Sequence, residues 1–250
     1  AAKDIKQLTR SYRMTDYLWN YFLIEMLAEF RTEINHARVF NRKLNFDKID
    51  RLLHFVESNP DLLDNFLVRF MYLQIMLLKE KKREYYYELK ELLVKEMNKL
   101  NWDTKYGAFT ILTNFSTAEY YEGRQEFIKE RFKLCKLRLE CGIDLVIERK
   151  YMAASLFEII VNTGILNRET KWTRKFIEDY RKYLNPEYRE SVVNYANSKL
   201  SFSLGKFEES AAYMSKISLP KYAGLKYHVK NLSLMLHFEK GWFDSAYDGV

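Results

Sequence analysis

Five positions suited to a tight turn recur along this chain at intervals of about forty residues. They are Lys81, Gly123, Asn167, Gly205 and Gly241, and their successive separations are 42, 44, 38 and 36 residues. Gly and Asn suit such points because the residue after a helix often adopts left-handed backbone angles. Periods of about 34 to 47 residues with two helices per period are typical of helical repeat arrays. The spacing therefore predicts a series of antiparallel helical hairpins.

The segments between these turns carry a helical pattern. Apolar residues recur every three or four positions, and strict alternation is nearly absent, which favours helices over strands. Only 8 Gly and 3 Pro occur in 250 residues, whereas an all-β chain of this size needs many tight turns. We predict helices over residues 14–37, 47–58, 61–79, 82–99, 104–121, 125–141, 144–163, 169–183, 187–203, 207–217, 222–238 and 242–249.

Two of these helices begin with the same three-residue pattern. Asn59-Pro60-Asp61 and Asn185-Pro186-Glu187 each place an Asn at the cap, a Pro at the first helical position and an acid in the first turn. All three preferences are those of a helix N-terminus.

The charge and apolar patterns argue against two classes of partner. The net charge is +7, but the basic excess is spread evenly along the chain, whereas a nucleic-acid footprint clusters. We therefore expect no specific nucleic-acid partner. The most apolar run, residues 66–78, contains Arg69 and Gln74 and is shorter than the roughly 20 residues that a membrane helix needs. It is predicted to be a core helix, and no membrane span is expected.

No catalytic, cofactor or metal motif is present. Gly205-Lys206 lacks the glycine spacing and the following Ser or Thr of a phosphate loop. None of the histidines, His36, His54, His228 and His237, has another His or Cys three or four residues away, as many metal sites require. We therefore predict a chain that is not an enzyme, with no cofactor, no metal and no catalytic residue.

The cysteine pattern bears on the compartment. Cys135 and Cys141 are six residues apart on a predicted helix and fit neither a disulfide framework nor a CxxC motif. We expect two reduced thiols in a cytoplasmic protein. The chain does not begin with Met, so we also expect a fragment or a processed product.

The last two units share a pattern at the turn and the second helix. A glycine is followed two residues later by Phe and then by small residues along one helix face: Gly205, Phe207, Ser210 and Met214 in one unit, and Gly241, Phe243 and Ala246 in the next. This pattern, over about residues 187–250, resembles the tetratricopeptide repeat, whose unit is two antiparallel helices. Ser198 fits the small position of the first helix, where the resemblance implies that two helices approach closely.

The resemblance implies an all-α, right-handed superhelix (solenoid) of antiparallel helix-turn-helix repeats. Along one continuous solenoid we expect an N-terminal helical segment over residues 1–60, divergent helical-hairpin repeats over 61–183, and tetratricopeptide-like repeats over 187–250. The last repeat is expected to be incomplete. Its uncapped end would expose apolar surface and could support a homo-oligomer.

The implied function is that of a non-catalytic scaffold for protein–protein interaction. Stacked first helices would form a concave face that takes a peptide or a partner protein. The alternatives are a regulatory or sensor module of a larger protein and, more weakly, a nucleic-acid-binding helical array. The polar residues expected on the first helices of the late repeats, and therefore at the partner-binding face, are Asn194, Asn197, Lys199, Lys230 and Asn231.

The turn assignment makes a first testable prediction, at Gly205. If Gly205 has a positive φ, replacing it with Val will lower the free energy of unfolding by about 1 kcal/mol or more, because a β-branched side chain is strained in that region. Thermal unfolding measures the effect. An unchanged melting temperature would count against the turn.

Overall fold

The computed structural model describes residues 2–144, 151–218 and 223–241, and the regular secondary structure of these residues is entirely helical, without a strand. The prediction of an all-α chain is confirmed. Three short 3-10 helices also occur, at Pro60–Asp64, Met97–Lys99 and Arg181–Tyr183. The α-helices are α1 (Ala2–Val39), α2 (Asp47–Ser58), α3 (Phe66–Glu80), α4 (Arg83–Glu96), α5 (Trp102–Tyr121), α6 (Glu126–Glu140), α7 (Ala154–Leu166), α8 (Thr170–Tyr180), α9 (Arg189–Ser203), α10 (Phe207–Met214) and α11 (Ala223–Glu239).

Several predicted helix boundaries are wrong, and the predicted helix over 242–249 lies outside the described residues. The helix predicted over residues 14–37 begins at Ala2. The helix predicted over 61–79 is divided at Asn65, whose Oδ1 accepts hydrogen bonds from the backbone N–H groups of Leu67 (3.0 Å) and Val68 (3.4 Å) and so begins α3. The helix predicted from residue 144 begins only at Ala154. Before it, the backbone N–H of Met152 pairs with a carbonyl in the turn after α8 instead of within a helix.

The two predicted Asn caps behave differently. Asn185 Oδ1 accepts from the backbone N–H of Glu187 at 3.0 Å, but α9 begins only at Arg189 and its cap position is Tyr188, so the predicted cap at Asn185 is wrong. Asn59 holds the cap position but makes no capping hydrogen bond, and its amide donates back to the carbonyl of Phe55 at 2.8 Å. The element that follows Asn59 is accordingly a short 3-10 helix.

Each of the five predicted turns contains a residue with left-handed backbone angles. The φ values are +55° at Lys81, +93° at Gly123, +60° at Arg168, +71° at Gly205 and +70° at Gly241. The predicted turns are thus confirmed, with one shift, because the left-handed residue of the third turn is Arg168 and not Asn167.

The same pair of hydrogen bonds closes three of these turns. After α9, the backbone N–H of Gly205 bonds the carbonyl of Phe202 and that of Lys206 bonds the carbonyl of Ser201. The turns at Gly123 and Arg168 repeat this pattern, which satisfies carbonyls that a helix end leaves unpaired. A Cβ added to Gly205 would meet no atom within 4 Å, so the expected cost of a side chain there is conformational.

The chain divides into two compact units, Ala1–Phe115 and Ser116–Val250, referred to below as the first and second unit. In the first unit, α3 packs against α1 and α4. Most of its side chains are buried, among them Phe70, Ile75 and Leu77, which confirms the predicted core helix. Arg31 of α1 donates to the buried Gln74 of α3 at 3.3 Å.

In the second unit, consecutive helices pack as hairpins. Helix α7 packs on α8 and α9 packs on α10, while α7 contacts α9 and α9 contacts α11. Phe157, Phe176, Val192, Leu200 and Leu225 belong to the continuous apolar core of this unit. Helices α7 and α9, the first helices of two successive hairpins, are therefore neighbours, and the further contact of α9 with α11 places side chains distant in sequence on one surface.

Small residues allow the paired helices to approach closely. Ser198 of α9 and Ser210 of α10 are both fully buried, and each hydroxyl donates to the other residue's carbonyl, at 2.9 and 2.8 Å. This contact joins the two serines that the sequence marked as small positions. Any larger side chain at either position would separate the helices.

A buried ion pair follows α6 in the same unit. The guanidinium of Arg138 binds both carboxylate oxygens of Asp144, each at 2.6 Å, and both side chains are almost wholly buried. Because each charge is desolvated, removing one partner would strongly destabilise the fold.

A second testable prediction concerns Gly164, where α7 meets α8. A Cβ on Gly164 would lie 2.1 Å from Thr173 Oγ1, so Gly164→Ala should lower the free energy of unfolding by about 1–3 kcal/mol through overpacking. Thr173→Ala removes that oxygen. We expect the double variant to be more stable than the sum of the two single changes predicts, as measured by urea unfolding.

Thr110→Ala is the matched control for this pair. Its hydroxyl bonds the carbonyl four residues earlier at 2.8 Å, as Thr173 does at 2.9 Å, and it belongs to the first unit. Its effect should add to that of Gly164→Ala. If the effects of Gly164→Ala and Thr173→Ala on the free energy of unfolding were also additive, the packing argument would be wrong.

Candidate partner-binding surface

The five residues predicted to contact a partner lie on α9 and α11. Asn194, Asn197 and Lys199 are half-buried on α9, whereas Lys230 and Asn231 are exposed on α11. Because α9 and α11 are in contact, the five belong to neighbouring helices, but they do not form one cluster.

Asn197 lies beside α8. It lines a depression of about 220 Å³ whose other lining residues are Arg174, Ile177, Glu178, Arg181 and Val193. Lys199 follows Asn197 by two residues, and such positions point in different directions from a helix. The depression is therefore separate from the surroundings of Lys199.

Lys199 belongs to a polar cluster that joins three helices. Its ammonium lies 5.8 Å from the ring centroid of Tyr195, one turn earlier on α9. The Tyr195 ring stacks on the imidazole of His228 from α11, with centroids 6.1 Å apart. With Glu158 of α7, which His228 contacts, these residues are called the α7–α9–α11 cluster below.

The carboxylate of Glu158 is the buried centre of this cluster. Its Oε2 lies 2.5 Å from Nδ1 of His228, across 70 residues of sequence. Only 4% of the Glu158 side chain is exposed, compared with 44% of the His228 side chain. The imidazole therefore forms the outer, accessible part of the pair and covers the carboxylate.

Two acceptor oxygens near this pair have no donor in the described structure. They are Glu158 Oε1 and Asn162 Oδ1, both inaccessible to solvent. The two residues are four positions apart on α7 and so lie on the same side of that helix. A buried acceptor without a partner costs about 1–3 kcal/mol. An N–H or cationic group that reached these oxygens would recover that cost.

Burial shifts the pKa values of the cluster. It raises the pKa of the Glu158 carboxyl, and the hydrogen bond from His228 opposes this shift only in part. Burial likewise lowers the pKa of the Lys199 ammonium, with the charge of Glu158 acting in the opposite direction. The pKa of the Tyr195 phenol is raised by burial and then by Glu158.

A carboxylate bonded to an imidazole nitrogen also occurs in hydrolases, where it orients a histidine that activates a nucleophile. Among the described residues, no hydroxyl or thiol is hydrogen-bonded to His228. Within the described part of the chain, the pair has no third member of such a site, and its contact joins α7 to α11.

Neither Glu158 nor Tyr195 belongs to a motif recognisable in the sequence, where His228 stands as an isolated histidine. One signal was available, since Glu158 is the only charged residue in the otherwise apolar helix ASLFEIIVNTGIL. Charged residues are rarely buried unless paired, so a carboxylate in such a helix indicates a partner. The identity of that partner depends on the packing of α11 against α9.

The described ranges contain few other candidates for chemistry. They hold no group of three or more metal-ligating side chains and no helix long and apolar enough to cross a membrane. Cys135 and Cys141 are both free thiols, and burial raises the pKa of Cys135. Comparison with protein-family models, curated proteins and solved structures finds no match for this chain.

A third prediction follows from the raised pKa of Glu158. A carboxyl group with a raised pKa in the folded state costs stability once it ionises, so that cost is present at neutral pH and disappears as the pH falls below the ordinary value of about 4.3. Glu158→Gln should therefore raise the melting temperature at pH 7, and the gain should shrink towards pH 4.

The exposed Glu178 provides the matched control on α8. Its replacement by Gln should leave the pH dependence of the melting temperature unchanged. If Glu158→Gln destabilised the protein at pH 7, or gave the same shift at both pH values, the buried-charge argument would be wrong.

Proposed function

We propose that this chain is a non-catalytic protein-interaction scaffold, with tetratricopeptide-like repeats in its second unit. A peptide or partner protein binds the surface formed by the first helices of successive hairpins. The repeats follow one another as a right-handed superhelix. In support, α7 contacts α9 and α9 contacts α11, as expected of first helices in a repeat array.

The local geometry of the second unit supports the repeat proposal. The close approach at Ser198 and Ser210 and the left-handed turns at Gly205 and Gly241 occur where such a repeat needs small residues and a sharp reversal. These positions and the hairpin spacing support tetratricopeptide-like repeats over residues 187–250.

The α7–α9–α11 cluster is the observation that carries the functional proposal. A chain selected only for stability would place apolar side chains where three helices meet, because buried charges pay a large desolvation cost. This chain instead keeps a carboxylate with one unpaired oxygen, a second unpaired acceptor on Asn162 and a half-buried ammonium there. Such groups gain their hydrogen bonds when a partner supplies them.

The partner that fits this surface supplies both donors and acceptors. Main-chain N–H groups of an extended peptide, or a basic side chain, satisfy Glu158 and Asn162 once the His228 ring turns aside. Carbonyl or carboxylate oxygens satisfy Lys199 and the exposed Lys230. We place the protein in the cytoplasm, where free thiols such as Cys135 persist.

A fourth prediction tests this surface. Affinity capture with the intact protein from its source cell identifies the partner, and calorimetry with that purified partner gives the affinity. Replacing Asn194, Asn197, Lys199, Lys230 and Asn231 with Ala should raise Kd at least tenfold. Circular dichroism confirms that the variant remains folded.

Lys171→Ala is the control, since Lys171 is exposed on α8 and lines none of these surfaces. It should bind the partner with unchanged affinity. If the variant with all five substitutions binds the partner with a Kd within twofold of that of the unaltered chain, the proposed surface is wrong.

A further inference from the structure

Residues 14–22 of α1 expose an unusual amount of apolar surface. Leu18 is 64% exposed, Tyr17 75% and Tyr21 65%, and Met14 and Phe22 are also largely exposed. Met14, Leu18 and Tyr21 follow the i, i+4, i+7 spacing of one helix face. Leu23 and Leu27 bury the opposite side of α1 in the first unit. The exposed face is therefore a second apolar surface on the same helix.

A groove beside this face continues the apolar surface onto α2. Trp19 stacks on Phe55 of α2 with ring centroids 5.7 Å apart, and both rings remain partly exposed. Cavities of about 390 and 610 Å³ lie on either side of this ring pair. An apolar groove of this kind accepts the side chains of a helix laid along it.

The two ends of the groove carry opposite charges. At the end near Met26, the cavity is lined by Lys48 and Arg51. At the other end, the lining includes Asp16, Asp61 and Asp64. Among the side chains that the structure describes, none of these five charged residues takes part in an ion pair.

We propose that this surface binds a second copy of the same chain, with the two α1 helices antiparallel about a two-fold axis. The exposed α1 face of each copy enters the α1–α2 groove of the other. The antiparallel arrangement brings the acidic end of each groove to the basic end of its partner, so the two charged contacts form at once.

The charges of the groove favour a second copy of this chain over an unrelated helix, because each copy carries both an acidic and a basic end. An unrelated partner would have to carry an apolar face and opposite charges at its two ends. The chain already carries both on the same helix pair. The surface belongs to the first unit and shares no residue with the α7–α9–α11 cluster. The proposed dimer therefore does not depend on the proposed function.

The experiment measures the mass of the intact chain in solution by sedimentation equilibrium between about 1 and 100 µM. The unaltered chain should be a dimer. Leu18→Glu, which places a charge on the exposed face without altering the core, should weaken dimerisation at least tenfold. Circular dichroism again checks folding.

Charge reversal tests the antiparallel arrangement. Asp16→Lys with Asp64→Lys makes both ends of the groove basic, and Lys48→Glu with Arg51→Glu makes both ends acidic. Each double variant alone should have a dimer dissociation constant at least tenfold higher than that of the unaltered chain. An equimolar mixture of the two should form heterodimers nearly as tight as the dimer of the unaltered chain.

Glu91→Lys and Lys95→Glu on α4 are matched controls, since both residues are exposed and lie outside the groove. Neither should change the dimer. A monomeric unaltered chain at 100 µM overturns the proposal, as does a dimer that Leu18→Glu leaves intact. Failure of the two charge variants to form heterodimers overturns the antiparallel arrangement.

Discussion

The fold depends on the reversal of chain direction at a single left-handed residue between paired helices. At Gly123, Arg168 and Gly205 the same two hydrogen bonds end one helix and fix where the next begins. Because the reversal occupies so few residues, the two helices must lie side by side. In the second unit, the contacts from α7 to α9 and from α9 to α11 then follow from repeating this reversal.

Close packing and polar chemistry use neighbouring residues of α9. Ser198 contacts α10, where its small size brings the helices together, whereas Tyr195 and Lys199 belong to the polar cluster. Tyr195 is also part of the apolar core of the second unit. The core and the polar cluster therefore share this side chain, and changes at Tyr195 should affect both.

Much of the architecture could be predicted from the sequence because it is local. Helix periodicity, the five turns and the small residues Ser198 and Ser210 depend on neighbours within one hairpin. The structure differs from these predictions where another local interaction is stronger. Asn65 caps α3 and divides a helix that periodicity alone had joined, and Arg168, not Asn167, takes the left-handed angles.

The polar cluster could not be predicted in the same way, because it depends on packing between hairpins. Periodicity marks Tyr195 and Glu158 as inward-facing positions, but no sequence rule pairs Glu158 with a histidine 70 residues away. The exposed face of α1 could not be predicted for the same reason, because it too depends on how helices pack. Tyr17, Leu18 and Tyr21 resemble core residues in sequence, and only the packing of the other side of α1 shows that they face outward.

The Glu158–His228 contact has a consequence for the order of folding. Most contacts in the second unit join neighbouring helices, and such short-range contacts form early and quickly. The bond between α7 and α11 cannot form until the intervening hairpin of α9 and α10 is in place. It is therefore a late event, and the contact between these two side chains indicates that α7, α9 and α11 have come together.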